Sequence, residues 1–242
     1  MKRFYQEVSI VPAAAGFAVN LDGKLLRTPA KAPLEVPSRA LAEAIAAEWR
    51  DQGGEMKLDD LPLTRLVSSA IDLVTTRRDA VVAEVANYAS TDLVCYRATH
   101  PPAMAQRQQQ TWQPLIDWAT LRYDAPLEVT AGVVPIRQSA ATLRAFAAAV
   151  ESYHSLELAA LHLATSAAGS LVVALALIEG RLDVEGAFAA AQLDESFEIE
   201  QWGEDGEQTQ RRAALKDDMA LAHRFIGLLR QGQDVPGSVG GR

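Results

Sequence analysis

The segment LAALHLATSAAGSLVVALALI, from Leu158 to Ile178, carries no charged residue over about the length that spans a bilayer. Such a stretch has two destinations, lipid or the middle of a helical core. Its chemistry points to the second. It is rich in Ala, Ser, Thr and Gly, includes His162, and lacks aromatic or basic anchors at its ends. A chain of 242 residues, 49% apolar and 22% charged, can supply the core that would surround it. The expectation is a buried helix with no membrane insertion, on which His162 is a hydrogen-bonded core histidine.

The N-terminal third has a different chemistry. GFAVNLDGKLLRTP reads as a hairpin, because Asp22-Gly23 supplies the positive φ angles of a two-residue turn between short strands. PLEVPS adds a short extended piece bounded by Pro33 and Pro37. Ser38 then reads as an N-cap, and RALAEAIAAEWRDQ as a helix running to Gly53-Gly54. Leu41, Ile45 and Trp49 form one stripe of it, with Trp49 as the aromatic that anchors the helix onto the sheet. TRLVSSAIDLVTT and RDAVVAEVANYAS read as two more helices, and STDLVCYRATHPP as a break. QQQTWQPLIDWATLRY is helical with Pro114 near its start, APLEVTAGVVPI is extended or irregular, and from Ser139 onward nearly everything is helical. The predicted fold class is α+β. A small α+β N-terminal domain with the hairpin (1–80) precedes an all-α helical C-terminal domain (81–230) and a flexible tail (231–242).

Few chemistries fit this composition. A net charge of −8 opposes nucleic acid or an anionic membrane as the main partner. The single cysteine, Cys95, sits in the apolar run DLVCYRA and reads as a buried inert thiol. His100, His154, His162 and His223 are not spaced as metal ligands, and neither HExxH, GxSxG, a P-loop nor GxGxxG occurs. The polar cluster Asn87–Asp92 is explained by capping. The sequence therefore predicts no metal, no cofactor and no catalytic residue. MKRFYQEVSI has neither an apolar h-region nor an Arg/Ser-rich presequence pattern, so a cytoplasmic protein is expected.

One segment resists this plain reading: LDESFEIEQWGED, from Leu193 to Asp205. On a continuous helix from Asp183 to Trp202 stepping about 100° per residue, Phe188, Ala191, Ile199 and Trp202 fall within about 60° of Val184. Glu195 falls about 20° away, inside that apolar stripe, and Glu198 about 40° to the other side. A carboxylate there must be paired, protonated or facing a gap. Three readings stay open. The helix frays near Asp194 and its acids are solvated; Glu195 is a buried general acid or base; or the acids beside Trp202 form a protein-docking patch around an aromatic anchor.

KRFYQEVSI, NLDGKLLRTP, VPS followed by Ala-Leu, EW closing the first helix, TDLVCYR, W-x-P-L-I-x-W, SLVVALALIEGRLDVEGA and LDESFEIEQWG follow one another in order. This series resembles the ATP synthase assembly chaperones that bind the free alpha subunit of the F(1) sector (the ATP-twelve type). The resemblance implies a non-enzymatic chaperone holding the alpha subunit until the beta subunit takes its place. It also implies a small α+β domain joined to a helical one, and a bacterial cytoplasmic relative of proteins that in eukaryotes act in the mitochondrial matrix. The family's acidic cluster maps onto Asp194 and Glu195, with Ser196 where relatives often carry another acid. Trp202 and Gly203 match directly, and Trp49 matches with a packing role. The expected partner-binding residues are Asp194, Glu195, Glu198 and Trp202, and the structural ones Trp49, Gly203, Asp22 and Gly23. The alternative is an enzyme that uses Glu195.

Overall fold

Asp22 and Gly23 take φ angles of 49° and 76°, the pair of positive values that a tight hairpin turn demands. The turn joins β2 to β3 in a sheet of four strands: β1 (Val8–Ala13), β2 (Gly16–Leu21), β3 (Lys24–Leu25) and β4 (Glu35–Val36). β1 runs antiparallel to β2 from Val8↔Leu21 to Ala13↔Gly16, and β3 and β4 both pair with β2. Asp22 does more than turn the chain. Its carboxylate accepts the backbone N–H groups of Glu7 at 2.8 Å and Gln6 at 3.0 Å, which fixes the entry to β1 and holds its pKa below the usual range. The computed structural model describes residues 2–132, 134–203 and 205–231. The tail expected over 231–242 lies outside the described residues except for Gln231.

Contacts divide the chain into two units. The first takes in the chain up to Arg77, with Ser155–Ala159 and the described residues from Arg224. Its main helix, α1 (Arg39–Arg50), starts where Ser38 accepts the Leu41 N–H at 3.4 Å, and Leu41, Ala42, Ile45 and Ala46 are fully buried on its inner stripe. Trp49 closes that stripe and adds specific partners at the end of the helix. Its ring lies 5.5 Å from the Tyr5 ring, and its indole N–H donates to Thr64 Oγ1 at 3.0 Å. Thr64 belongs to α2 (Pro62–Ser69), whose first N–H groups, from Leu63 and Thr64, donate to the Glu48 carboxylate at 2.6 and 3.0 Å. A side chain of one helix thus caps the next, satisfying donors that have no acceptor within α2.

The second unit, Arg78–His154 with Ala160–His223, is helical apart from one short parallel pair. α3 (Arg78–Asn87) leads through two 3₁₀ turns to β5 (Tyr96–Arg97), which pairs with β6 (Thr130–Ala131). Between them runs α4 (Pro102–Tyr123). Pro114 lies inside this helix and not near its start. The carbonyl it leaves without a helical donor belongs to exposed Gln110, where water can serve. α5 (Ala140–Glu151) follows, capped by Ser139.

The long uncharged segment is two helices and not one. α6 (Ser155–Ala168) ends at Gly169, with φ 63°, and α7 (Leu171–Ile178) begins on a Ser170 cap. Every residue of α7 is buried, and each of its Leu, Val and Ile side chains contributes roughly 1.5–3 kcal/mol. Among the described residues no helix is long and apolar enough to cross a membrane. His162 is not a core histidine: its side chain is 38% exposed and meets Glu84 at 3.3 Å. Ser166, one turn on, is exposed on the same side, while the alanines and Thr165 of α6 are buried. Cys95 is fully buried, and burial pushes its thiol up to about 12. α8 (Val184–Ala191), α9 (Leu193–Trp202) and α10 (Gly206–Arg230) complete the chain.

Candidate functional site

The helix assumed to run unbroken from Asp183 to Trp202 is interrupted at Gln192, whose φ and ψ are −107° and 23°. The interruption has a visible cause. The indole N–H of fully buried Trp112 donates to the Ala190 carbonyl at 2.8 Å, the acceptor that the Asp194 N–H would use in a continuous helix. The break resets the angular phase of α9. Leu193 and Phe197, which the unbroken wheel put opposite the main stripe, are the buried residues of α9, and Trp202 is 89% exposed.

Asp194 and Glu195 are neither free nor isolated. Asp194 Oδ1 accepts Gln108 Nε2 at 2.8 Å, and Gln108 Oε1 accepts the Ala98 N–H at 2.7 Å. Gln108 is 1% exposed, so this amide bridges α4, α9 and the segment after β5 with its hydrogen bonds shielded from water. Burial raises the Asp194 pKa, opposed by the Gln108 hydrogen bond and the positive field of Arg97. Arg97 is itself unusual. Its guanidinium lies 5.0 Å over the Trp112 ring, and its three side-chain nitrogens are buried without a hydrogen-bond acceptor among the described residues. Burial lowers its pKa.

Glu195 faces α10. Its Oε1 accepts Gln208 Nε2 at 3.0 Å, and its Oε2 lies 3.9 Å from Arg212 Nη1. Arg212 also donates to Ser196 Oγ at 2.9 Å and sits 5.2 Å over the Phe188 ring. A paired carboxylate of this kind is a tie between two helices. Farther along α9, Glu200 forms a two-pronged pair with Arg107 at 2.7 and 3.0 Å, and the same guanidinium covers the Phe197 ring at 5.2 Å.

Glu198 and Trp202 remain. Both are exposed, and neither has a hydrogen-bond or ion-pair partner among the described residues. With Asp194 they stand four residues apart in succession, so the three share one ridge of α9. Glu195 lies to the side of that ridge. Gly203, with φ 86°, ends the helix directly after the tryptophan and donates to the Ile199 carbonyl at 2.8 Å. Trp49, Asp22 and Gly23 lie in the first unit and take no part in this ridge. Sequence reasoning missed the groups that hold the acids, namely Gln108, Arg107, Gln208 and Arg212. The spacings of Gln208 from Glu195, 13 residues, and of Arg212 from Ser196, 16 residues, fall within one helical pair; Gln108 is 86 residues from Asp194, beyond any local signal. Among the described residues no group of three or more His, Cys, Asp or Glu is placed to hold a metal ion.

Comparison with known proteins adds an independent line. The family described as ATP12 chaperone protein matches over residues 2–120. The crystal structure of Atp12 from Paracoccus denitrificans is 41% identical and superposes with a TM-score of 0.91, covering 95% of this chain and 98% of that one. A structure from Agrobacterium tumefaciens is 43% identical with a TM-score of 0.89, covering 94% of this chain and 86% of its own. The fission yeast Schizosaccharomyces pombe protein named Protein atp12, mitochondrial, is 24% identical over 214 residues, 84% of this chain and 74% of that protein.

Proposed function

Because the chain belongs to the ATP12 chaperone family, we propose that it holds the unassembled alpha subunit of the ATP synthase F(1) sector and promotes F(1) assembly without catalysis of its own. The observation that carries this reading is Trp202, 89% exposed at the end of the Asp194–Glu198–Trp202 ridge. A large indole left in water on a rigid helix end is what a docking hot spot needs, and such anchors carry about 2 kcal/mol or more of binding. Glu198 supplies the unpaired acid beside it, and Asp194 and Glu195 the backing that fixes the ridge. Acids around the anchor steer encounter with a basic or mixed surface and leave affinity modest. The client is a subunit whose apolar interface is exposed until assembly, and the beta subunit releases it by competing for the same face. We also read the protein as bacterial and cytoplasmic, a reading supported by the bacterial origin of the solved relatives.

The test is co-purification. A tagged chain is recovered from cells and its partners are identified by mass spectrometry, beside Trp202→Ala and Glu198→Lys variants whose melting curves are compared with wild type. Alpha subunit recovered with the wild type and lost from both folded variants supports the reading. Capture of no F(1) subunit by the wild type defeats the choice of client, and undiminished capture by both variants moves the docking face elsewhere.

A further inference from the structure

The first unit contains an open cavity of about 600 Å³ that the ridge on α9 does not use. It lies among the segment after β3, the end of α1, the 3₁₀ turn Leu58–Asp60 and α2 with the π-helical turn that extends it. Its floor is made by side chains that the fold keeps dry: Leu26, Trp49 and Leu61 are 8%, 7% and 1% exposed. Its mouth is different. Leu58 and Leu73 line it and are 67% and 55% exposed, so apolar surface continues out of the cavity onto the rim. The volume is that of a ligand pocket, and leucines held in water beside such a cavity call for something that covers as well as fills it. That favours a length of polypeptide over a compact small molecule.

The polar groups at the cavity sort themselves by charge. The indole N–H of Trp49 is committed to Thr64, so the ring presents only its apolar body to the space. Among the described residues Asp72 is the one carboxylate that lines the cavity, and both its oxygens accept hydrogen bonds: Oδ1 from the Thr28 hydroxyl at 2.7 Å, Oδ2 from the Ala30 N–H at 3.0 Å. Two arginines line it as well. Arg27 spends one N–H on the Lys31 carbonyl at 2.8 Å. Arg65 meets Asp59 at 3.1 Å, with side chains 60% and 94% exposed, a pair that water and salt weaken to little. Of the two guanidiniums that line the cavity, Arg27 has no carboxylate partner among the described residues and the partner of Arg65 is exposed, so an incoming acid finds a cation at the edge of the apolar surface.

We propose that this cavity is a second polypeptide-binding site, which takes apolar side chains from an amphipathic segment and pairs a carboxylate of that segment with Arg27 or Arg65. The occupant's leucine-like side chains enter over Trp49 and Leu61, its backbone lies across Leu58 and Leu73, and its acid displaces Asp59 from Arg65. The site goes beyond the docking ridge and does not depend on which subunit the ridge holds.

The probe is a short fluorescein-labelled amphipathic peptide with leucine on one face and glutamate on the other, and a version with lysine in place of every glutamate. Fluorescence anisotropy measures its binding to the full chain. The glutamate peptide is expected to bind, and to bind about tenfold more weakly to Ser69→Trp, which fills the cavity from an exposed helix position, and to Leu73→Asp. Arg65→Glu should weaken it several-fold, and Trp202→Ala should leave it unchanged. Equal binding to the plugged and unplugged proteins overturns the site, and equal binding of the lysine peptide overturns its charge preference. Concentration-dependent dimers that Leu73→Asp abolishes would assign the cavity to a second copy of the chain and overturn the proposal. Failure of alpha-subunit capture with intact peptide binding would count against the ridge alone. Circular dichroism of each variant confirms that the fold is kept, since Ser69 and Leu73 are both exposed.

Discussion

The Ser170 hydroxyl donates to Asp92 Oδ1 at 2.6 Å across a gap of 78 residues. Asp92 Oδ2 accepts the N–H groups of Leu171 and Val172 at 2.8 and 3.1 Å, and Oδ1 also accepts that of Val94. One fully buried carboxylate therefore closes the N-terminus of α7, the helix buried on all sides, and the turn that leads to β5.

Asp92→Asn places an amide NH₂ or a single oxygen against four donors. Two or more of them lose their acceptor inside the core, and the loss in unfolding free energy should be about 3 kcal/mol. Urea denaturation at pH 4 measures it. A loss under about 1 kcal/mol would mean that the helix end finds other acceptors.

The same group sets a pH dependence. Burial raises the Asp92 pKa to about 6, against the four donated hydrogen bonds, from an ordinary 3.8. Between those values the folded chain binds a proton that the unfolded chain has released, so this group's contribution to stability is full below about pH 4 and is lost as pH rises through 6. The change is on the order of 3 kcal/mol. Urea midpoints of wild type and Asp92→Asn, compared from pH 4 to 7, should converge toward the alkaline end in proportion.

Two glycines should respond differently to alanine. At Gly16, with φ +126°, a Cβ would lie 2.6 Å from the Val36 carbonyl and 2.8 Å from Pro37 Cα, both backbone, so β2 and β4 must separate. A loss above about 3 kcal/mol is expected. At Gly203, φ is +86° but nothing lies within 4 Å of the new Cβ, and backbone strain alone gives a loss of about 1 kcal/mol. Thermal melts of the two variants check the order.

Two tryptophans separate folding from docking. Trp112→Phe removes the donor to the Ala190 carbonyl inside a fully buried site and should cost about 2–3 kcal/mol. It should also let α8 and α9 move toward one helix, visible as changed amide shifts around Gln192. Trp202→Ala removes an exposed ring and should change stability by less than about 0.5 kcal/mol.

Arg97→Met tests the unpaired guanidinium. A buried charge without an acceptor adds little stability, so an apolar side chain of similar reach should be neutral or stabilise by about 1 kcal/mol. Asp194 would lose a neighbouring positive charge, and its carboxyl should titrate higher than in wild type by NMR. A loss beyond about 2 kcal/mol would show that the guanidinium holds the fold through Trp112.

The candidate site was only partly legible before the structure. That acids and a tryptophan share α9 followed from their spacing, but the face they occupy did not. An angular count carries across a helix only while the helix is unbroken, and the Trp112 indole at Ala190 ends that condition from 78 residues away. The π-helical turn Ala70–Val74 left no distinct local mark, since a helical pattern tolerates it, whereas the split at Gly169-Ser170 has one, a glycine stop beside a serine cap, inside a run whose uniform apolar character favours a single helix.

By itself the sequence determined the Asp22-Gly23 turn, the Ser38 cap, the Leu41–Ile45 stripe and the division into a strand-bearing start and a helical remainder. These depend on residues within about four positions of one another, where backbone sterics and helix periodicity act directly. Only the tertiary structure decided that Asp92 caps α7, that Gln108 ties down Asp194 and that Trp202 is left in water. Those outcomes rest on which donors and acceptors meet once the core excludes solvent, and contacts of that range leave no period in the chain that forms them.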